Sequence, residues 1–435
     1  MRRYLLFALF LTAVPGFSQR RIPLPDAIGL ALRNNTALKV SADRIQLADA
    51  RFRQVKERSL PQTSASLQAA RLSILSPFEL SMGGPEPALA LPVTSFWSTI
   101  GMVSAGKEIF SGFAEKSAHQ SAELLAEASR LDAQKDSREI EYAVVASYYN
   151  IYKLMQSARI LDENRDLLIR KEQDVKNMLR EGVLTSNELL KIQLQQSNLE
   201  LSRVDVRNAQ ETALFHLGTL LGVDTPIEID TNLRLSDALP EQIGDLLNQA
   251  ESSRVELKAN ALRIRSTESN LVQARSVLYP HVGASAMYLY LNPNKNVIPD
   301  RHTFLQAVNL GVSVRYSISS LYASKGKIQE ARLNIDQARH LHELQEEQIR
   351  NEVFGLFRSG ISAKEKIRVS ETALAQASRS FTLTESKFRN GLVLSSDLLE
   401  SQNLLLQAQL QLLSSRVDAQ LTYYKLQKAI GNTVH

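Results

Sequence analysis

One stretch of the chain has the spacing of a phosphate cradle: Gly101-Met102-Val103-Ser104-Ala105-Gly106-Lys107 matches G-x-x-x-x-G-K. A P-loop then needs Ser or Thr to reach Mg²⁺, and Glu108 stands there instead. The stretch also reads as a strand, so the nucleotide reading falls. The seven histidines are scattered, and His340 and His342 are two apart on a predicted helix. They face different sides and make a poor metal pair. Neither H-E-x-x-H nor G-x-S-x-G occurs. Glu139 and Glu141 lie among lysines and arginines and read as a solvated helix face. Asp397 and Glu400 are three apart, so both lie on one face of a helix. Alone they read as two solvated charges, Asp397 also being favoured by a helix N-terminus. These residues supply no catalytic, cofactor or metal constellation, and the chain reads as non-enzymatic.

The two carboxylates belong to a phrase that the chain says twice. REGVLTSNELLKIQ begins at Arg180 and RNGLVLSSDLLESQ at Arg389, 209 residues later. At that offset Gly182, Leu189, Leu190, Gln193, Arg207 and Gly222 coincide with Gly391, Leu398, Leu399, Gln402, Arg416 and Gly431. At an offset of 219, Asp26, Ala42, Arg44, Ile45 and Pro61 coincide with Asp245, Ala261, Arg263, Ile264 and Pro280. The blocks keep their order, with ten residues lost between them in the second half. This is an internal duplication, with halves at 19–230 and 231–435, and its period is too long for a solenoid.

Each half must build the same parts. A helical stretch, about 24–58 and about 241–277, ends just before Pro61 and Pro280. Two strands follow in each half, within about 60–110 and about 280–319. The clearest runs from Phe304: Phe304, Val308, Leu310, Val312, Val314, Tyr316 and Ile318 point one way, and Asn309, Gly311, Ser313, Arg315 and Ser317 the other. That is period two, one apolar and one polar face. Ala65, Leu67 and Ala69 oppose Ser64, Ser66 and Gln68 in the same manner. Pro- and Gly-rich loops join the two strands of each pair.

From about 112 to 179 there is no proline and no internal glycine, and good helix formers dominate. Such a helix is about 100 Å long. Its frequent charges forbid a membrane span, and its apolar three- and four-residue steps call for a partner helix. That partner is about 187–221; the second half repeats the pair at about 321–388 and 397–430. The repeated phrases are then hairpin tips, at about 180–187 and 389–396. Gly182 and Gly391 suit the C′ position, and Ser186 with Ser395 or Ser396 suit the N-cap.

Residues 1–18 read as a cleaved signal peptide, with Arg2 and Arg3, an apolar Leu5–Val14 core, and Gly16-Phe17-Ser18 before the cut. The apolar run is too short to span a bilayer. The chain is therefore expected to be exported. Its formal charge of +5 becomes +3 without the leader, too balanced to imply nucleic acid. With no cysteine, stability must come from core burial or oligomerisation.

The leader, the duplicated halves, a strand pair per half, the very long helices and the tip pattern R-x-G-x-x-x-S-x-[ED]-L-L together resemble the TolC-like outer-membrane efflux proteins, also called outer membrane factors. The resemblance covers essentially the whole mature chain. It implies a mainly α fold with a small β part. Each duplicated unit has a strand pair and a long antiparallel helical hairpin, and three chains form a 12-stranded β-barrel continued by an α-helical tunnel through the periplasm. Strand arithmetic arrives near the same place. Four strands per chain leave open edges that hydrocarbon does not tolerate, and known barrels use eight or more.

The function implied is passive: an exit duct of a tripartite efflux or type I secretion system in a Gram-negative outer membrane. The implied partners are two further copies of the chain, a periplasmic adaptor, an inner-membrane pump and outer-membrane lipid, with no cofactor and no nucleic acid. By resemblance, Asp397 and Glu400 line the narrow periplasmic gate, where threefold symmetry makes carboxylate rings suited to cation selectivity. Glu188 occupies the family's acidic position in the first tip. The tip residues Gly182, Val183, Leu184, Gly391, Leu392 and Val393 meet the adaptor, and the four apolar ones are expected to be exposed. One departure concerns how the gate is held shut. The family's best-known members carry a basic residue two positions after the second glycine, where this chain has Val393, and a tyrosine at the place of Phe388. The alternatives are a periplasmic adaptor, which has one hairpin and a separate β-domain, and a periplasmic coiled-coil scaffold. Aromatics near the strands, Phe96, Trp97, Phe110, Tyr279, Tyr288, Tyr290, Phe304 and Tyr316, fit an interfacial belt or ordinary strand propensity equally.

Overall fold

Proline, glycine and polar caps set the boundaries of the elements. The computed structural model describes residues 20–75, 78–80, 89–91, 94–223, 227–230, 242–292 and 304–433. The leader, most of the loop at 76–93 and the loop at 293–303 lie outside the described residues. In chain order the elements are β1 (Arg20–Ile22), α1 (Leu24–Asn34), α2 (Thr36–Arg58), β2 (Gln62–Ile74), β3 (Phe78–Leu80), β4 (Leu89–Leu91), β5 (Thr94–Phe110), α3 (Ala114–Arg180) and α4 (Ser186–Leu221). They continue with β6 (Ile227–Ile229), α5 (Ile243–Ser253), α6 (Val255–Arg275), β7 (His281–Asn292), β8 (Leu305–Arg315), α7 (Ser320–Ala323), α8 (Lys325–Arg389) and α9 (Ser395–Ala429). The long uninterrupted helices are as expected: α3 has 67 residues and α8 has 65.

The chain forms two compact units. One comprises the chain up to Ala42, Asp132–Leu257 and everything from Gln345; the other comprises Asp43–Leu131 and Lys258–Leu344. The second unit holds a four-stranded sheet in the order β2-β5-β7-β8, antiparallel throughout. At the end of β5, Gly112 turns the chain into α3 with φ 60°, and a Cβ there would lie 2.6 Å from the Ser276 carbonyl. Only glycine fits that approach. Below the sheet, α3 and α6 touch through the hydroxyls of Ser121 and Ser266, 2.8 Å apart and buried.

The first unit is organised around the two helical hairpins, α3–α4 and α8–α9. Its main core gathers Ala27, Ile28 and Ala31 of α1, Val144, Val145, Tyr148 and Tyr149 of α3, and Leu217 and Leu221 of α4. A parallel pair, β1 with β6, closes this core. Tyr148 ties the pair together: its hydroxyl donates to the Ile22 carbonyl at 2.8 Å and accepts the Asp230 N–H at 2.8 Å. Burial raises its phenol to about 12. Within the first hairpin, Glu172 of α3 accepts from Lys176 and from Gln193 and Gln196 of α4. Those bonds, led by Lys176, hold its carboxyl at about 2. Its support is complete above the ordinary carboxylate range and is lost as pH falls toward about 2.

The helical stretches expected over about 24–58 and 241–277 are each divided into two α-helices. Asn35 interrupts the first: its amide oxygen accepts the Ala37 N–H at 2.9 Å, and its nitrogen donates to the Leu220 carbonyl at 2.9 Å. Arg254 interrupts the second, and its guanidinium donates to the Ala429 carbonyl at 3.3 Å. These positions are 219 apart, and their acceptors 209 apart. Different side chains thus perform one job, satisfying a free carbonyl at the end of each returning helix.

The glycines beyond those helix ends are also matched. Gly222 and Gly431 have φ 66° and 85°, and a Cβ would come within 2.9 Å of Asn34 and 2.8 Å of Ser253. Gly182 has φ 76° but nothing within 4 Å. Gly222→Ala is therefore expected to cost about 2 kcal/mol or more, and Gly182→Ala only the left-handed penalty of about 1 kcal/mol. Denaturant unfolding of the detergent-solubilised chain measures both; equal losses would refute the packing role given to Gly222.

Candidate channel wall and gate

Residues opposite one another in an antiparallel ladder share a face, so the register sorts the sheet into two faces. One row reads Ala65, Val103, Tyr288, Val308; the next Thr63, Ala105, Ala286, Leu310; further rows end on Val312 and Val314. The reverse face carries Ser64, Ser104, Met287 and Asn309, then Gln62, Gly106, Ser285 and Gly311, and lastly Glu108, Gly283 and Ser313. His281 and Arg315 pair beyond them, and His281 Nδ1 lies 2.6 Å from Glu108. Toward the helical end of the sheet the period-two reading of β2 and β8 extends over all four strands, apart from Lys107 in the row of Val312; farther out the reverse face also carries Met102, Leu289 and Ala307, then Ile100, Leu291 and Leu305. Val308, Leu310, Val312 and Val314 are 70–76% exposed, so nothing among the described residues covers this part of the apolar face.

Exposed and half-buried aromatics collect toward the two ends of these strands. Trp97, Phe304 and Tyr290 lie toward the loop ends, Tyr290 stacking on Phe304 at 6.1 Å. Phe110, Phe113 and Tyr279 meet edge to face where the sheet joins the helices. Strands of this length are long enough to cross a bilayer at a tilt. No helix among the described residues is long and apolar enough to do so. Among the described residues the edges β2 and β8 have no neighbouring strand, and such rows of free N–H and C=O groups require one.

The two tips are built alike. Gly182 N–H donates to the Leu179 carbonyl and Val183 N–H to that of Met178, at 3.1 and 2.9 Å. Gly391 and Leu392 repeat this with Phe388 and Lys387, each at 3.0 Å. Gly391 has φ 69°. This is the glycine-terminated helix end the sequence suggested.

The caps differ from expectation. Thr185 and Leu394 hold the N-cap positions, one residue before the expected serines, and neither makes a side-chain cap bond. For α9 the cap is supplied in reverse by Asp397, whose carboxylate accepts the Leu394 N–H at 3.3 Å. Ser395 is fully buried and instead donates its hydroxyl to Glu188.

This separates the expected gate residues. Asp397 and Glu400 are exposed on the first turns of α9. Glu188 is buried, its carboxylate held by Ser395 and, at 2.8 Å, by Lys191. It fastens the first hairpin to the second tip, two residues before Asp397. The apolar tip residues divide as well. Val183 and Leu392 are 60% and 72% exposed, whereas Leu184 and Val393 pack inward on the cluster of Leu168, Val175, Phe388 and Leu398. The expectation of four exposed residues fails because each tip must also close its own core. Phe388, at the place of the family's tyrosine, is one of the most buried side chains.

Sequence reasoning missed the β1–β6 pair and the Asn35 and Arg254 junctions. The described sheet, open at both edges, is followed in the chain by a helical hairpin after each strand pair, and the two hairpins end in equivalent tips. Residues 246–432 match the family model described as outer membrane efflux protein. The second half of the chain thus carries the signature of outer membrane efflux proteins.

Similarity to efflux proteins extends beyond that segment. The outer membrane efflux protein BepC of Brucella suis biovar 1 is 22% identical over 425 residues, covering 97% of this chain and 88% of BepC. Two solved structures show the same fold. The outer membrane protein VceC of Vibrio cholerae superposes with a TM-score of 0.78 at 16% identity, covering 95% of this chain and 97% of VceC. CusC gives a TM-score of 0.81 at 15% identity, covering 94% and 92%. The fold class expected from sequence is thus the observed one: mainly helical, with a small sheet, in the architecture of outer-membrane channels with a helical tunnel.

Proposed function

We propose that three copies of this chain close their sheets into one 12-stranded barrel and form the passive exit duct of a tripartite efflux or type I secretion system. The sheet carries this reading: among the described residues its apolar face lacks cover and both its edges lack partners. Because the strands alternate in direction, β8 of one copy meets β2 of the next antiparallel, as closure of an even-numbered barrel requires. Three copies supply twelve strands, with the polar faces lining the lumen and the apolar faces toward lipid. A second surface favours association. On α4, Leu190, Leu194, Leu201 and Val204 are exposed at coiled-coil steps of four, seven and three, and Phe215 is exposed eleven residues further on. Two tips with the same bonds and four strands in one sheet suit a channel, not a single-hairpin adaptor.

In this reading residues 1–18 are the export signal, and 19–230 and 231–435 are two copies of one ancestral unit. Transport energy comes from an inner-membrane pump, because the duct itself is passive. Val183 and Leu392, flanked by Gly182, Gly391, Leu184 and Val393, present the periplasmic adaptor with a small apolar contact.

Asp397 and Glu400, repeated by threefold symmetry, form the gate's carboxylate rings. Asp397→Asn combined with Glu400→Gln is expected to lower cation preference in planar bilayers, while the asparagine oxygen can still cap α9. Reversal potentials identical to wild type in that double variant would remove the gate assignment.

A further inference from the structure

The turn from β5 into α3 is strained at the point where the apolar face of the sheet ends. Gly112 and Phe113 follow one another with φ 60° and 71°, and Phe113 is the one non-glycine residue with positive φ among the described residues. A bulky side chain rarely adopts that conformation, and such strain collects at ligand clamps. Packing of the ring does not account for it. Phe113 is 51% exposed and meets Phe110 and Tyr279 only edge to face, at 5.5 and 5.8 Å. The strained turn holds an aromatic ring outward at the foot of the sheet.

That place adjoins the apolar face. The register of β5 on β7 shifts between Glu108 and Phe110, and Phe110 resumes opposite Val282, itself opposite Val314. Such a bulge re-aims side chains, and Phe110 carries the apolar face down into the turn. A pocket of about 350 Å³ opens there, lined by the apolar Ile109, Phe110 and Phe113 and by Glu115, Lys116 and His119 of α3. Lys116 and His119 are three apart and share a helix face. The His119 ring leans on Phe52 with centroids 4.7 Å apart, which orients the imidazole.

The charges in the pocket are not balanced. Glu115 lies 3.8 Å from Lys107, whose ammonium also donates to the Ser59 carbonyl. Lys116 is exposed and makes no salt bridge among the described residues. The pocket thus offers an unpaired cation beside three apolar side chains, while its carboxylate is engaged. A phosphate ester with hydrocarbon attached matches both parts: its oxygens accept charge-assisted bonds and its chains cover the rings. A headgroup that carries its own ammonium meets no unpaired carboxylate there.

We propose that this pocket binds one anionic phospholipid of the periplasmic leaflet per chain, with the phosphate on Lys116 and His119 and the start of the acyl chains on Ile109, Phe110 and Phe113. The inference rests on the channel reading above, which turns the apolar sheet face toward lipid, but binding is scored per chain and needs no conductance.

Native mass spectrometry of the detergent-extracted mature protein, titrated with phosphatidylglycerol or with phosphatidylcholine of the same acyl chains, reads the occupancy. Wild-type protein is expected to retain one phosphatidylglycerol per chain and about tenfold less phosphatidylcholine. Lys116→Gln with His119→Gln should lower phosphatidylglycerol retention about tenfold, as two cationic donors are lost from one anionic headgroup, and leave the melting temperature in detergent unchanged. Phe113→Asn keeps a residue that tolerates the left-handed turn but removes the ring, and it should lower the retention of both lipids. A photoactivatable phosphatidylglycerol should label residues 109–119 in the wild type and not in the double variant. Equal retention of the two lipids would reduce the pocket to part of an aromatic belt and overturn the headgroup site. Undiminished retention in the double variant, or wild-type labelling only elsewhere, would overturn it as well. Protein recovered as a water-soluble monomer would count against the channel reading, and labelling of 109–119 would still decide the pocket.

Discussion

Leu310→Arg should prevent stable assembly in the outer membrane, whereas Asn309→Arg, one residue away, should be tolerated. Leu310 lies at the middle of β8, in register with Ala286 and Ala105, and is 76% exposed on the uncovered apolar face. Asn309 lies across the pleat, in register with Met287 and Ser104 on the mostly polar face. In a closed barrel the first face meets hydrocarbon and the second meets water. Arginine at the bilayer midplane of a barrel costs about 2–4 kcal/mol per chain. Three copies pay it together, so the assembled fraction should fall steeply. Outer-membrane yield and heat-modifiable migration of the two variants provide the comparison. If Leu310→Arg assembled normally while Asn309→Arg failed, the faces would have been assigned the wrong way round.

Arg254→Met should give the largest loss of stability in the first unit. The Arg254 side chain is 9% exposed and reaches three acceptors on separate elements: Glu256 at 3.3 Å, Glu352 at 3.1 Å and the Ala429 carbonyl at 3.3 Å. Removing the cation leaves two carboxylates and a helix-terminal carbonyl facing an apolar side chain. Breaking one side of a buried ion pair costs about 3–5 kcal/mol. Glu352 is a third exposed and can recover water, which places the expected loss at the lower end of that range. Lysine should rescue only partly, because a single ammonium cannot serve three separated acceptors as a planar fork does. Asn35→Ala removes the equivalent neutral contact and should cost only about 1–3 kcal/mol. Chemical denaturation of the solubilised protein tests the ranking. A loss within about 0.5 kcal/mol for Arg254→Met, the range of ordinary surface substitutions, would show that the junction is held by packing alone.

What could be read in the sequence was local or repeated. A helix of 67 residues follows from the missing prolines and glycines, and β8 follows from its alternation. Gly182 and Gly391 declared the tips because a left-handed helix end needs glycine whatever surrounds it. The β1–β6 pair was illegible: three residues on each strand, 207 apart, have no periodicity to detect. Asn35 and Arg254 were hidden for another reason. The 219-residue offset aligns them, but their side chains differ, and only the shared carbonyl-binding task reveals the equivalence. The burial of Glu188 was not legible, since it depends on Ser395 in the other tip, 207 residues away. The cap at Leu394 was missed because the acceptor belongs to Asp397, a residue already read for its charge.

Native mass spectrometry of the detergent-extracted mature protein, taken from separated membrane fractions, tests the shared barrel most directly. The expected result is a species of three chains recovered from the outer membrane. A water-soluble monomer would contradict it, and the uncovered apolar sheet face would then need some other occupant.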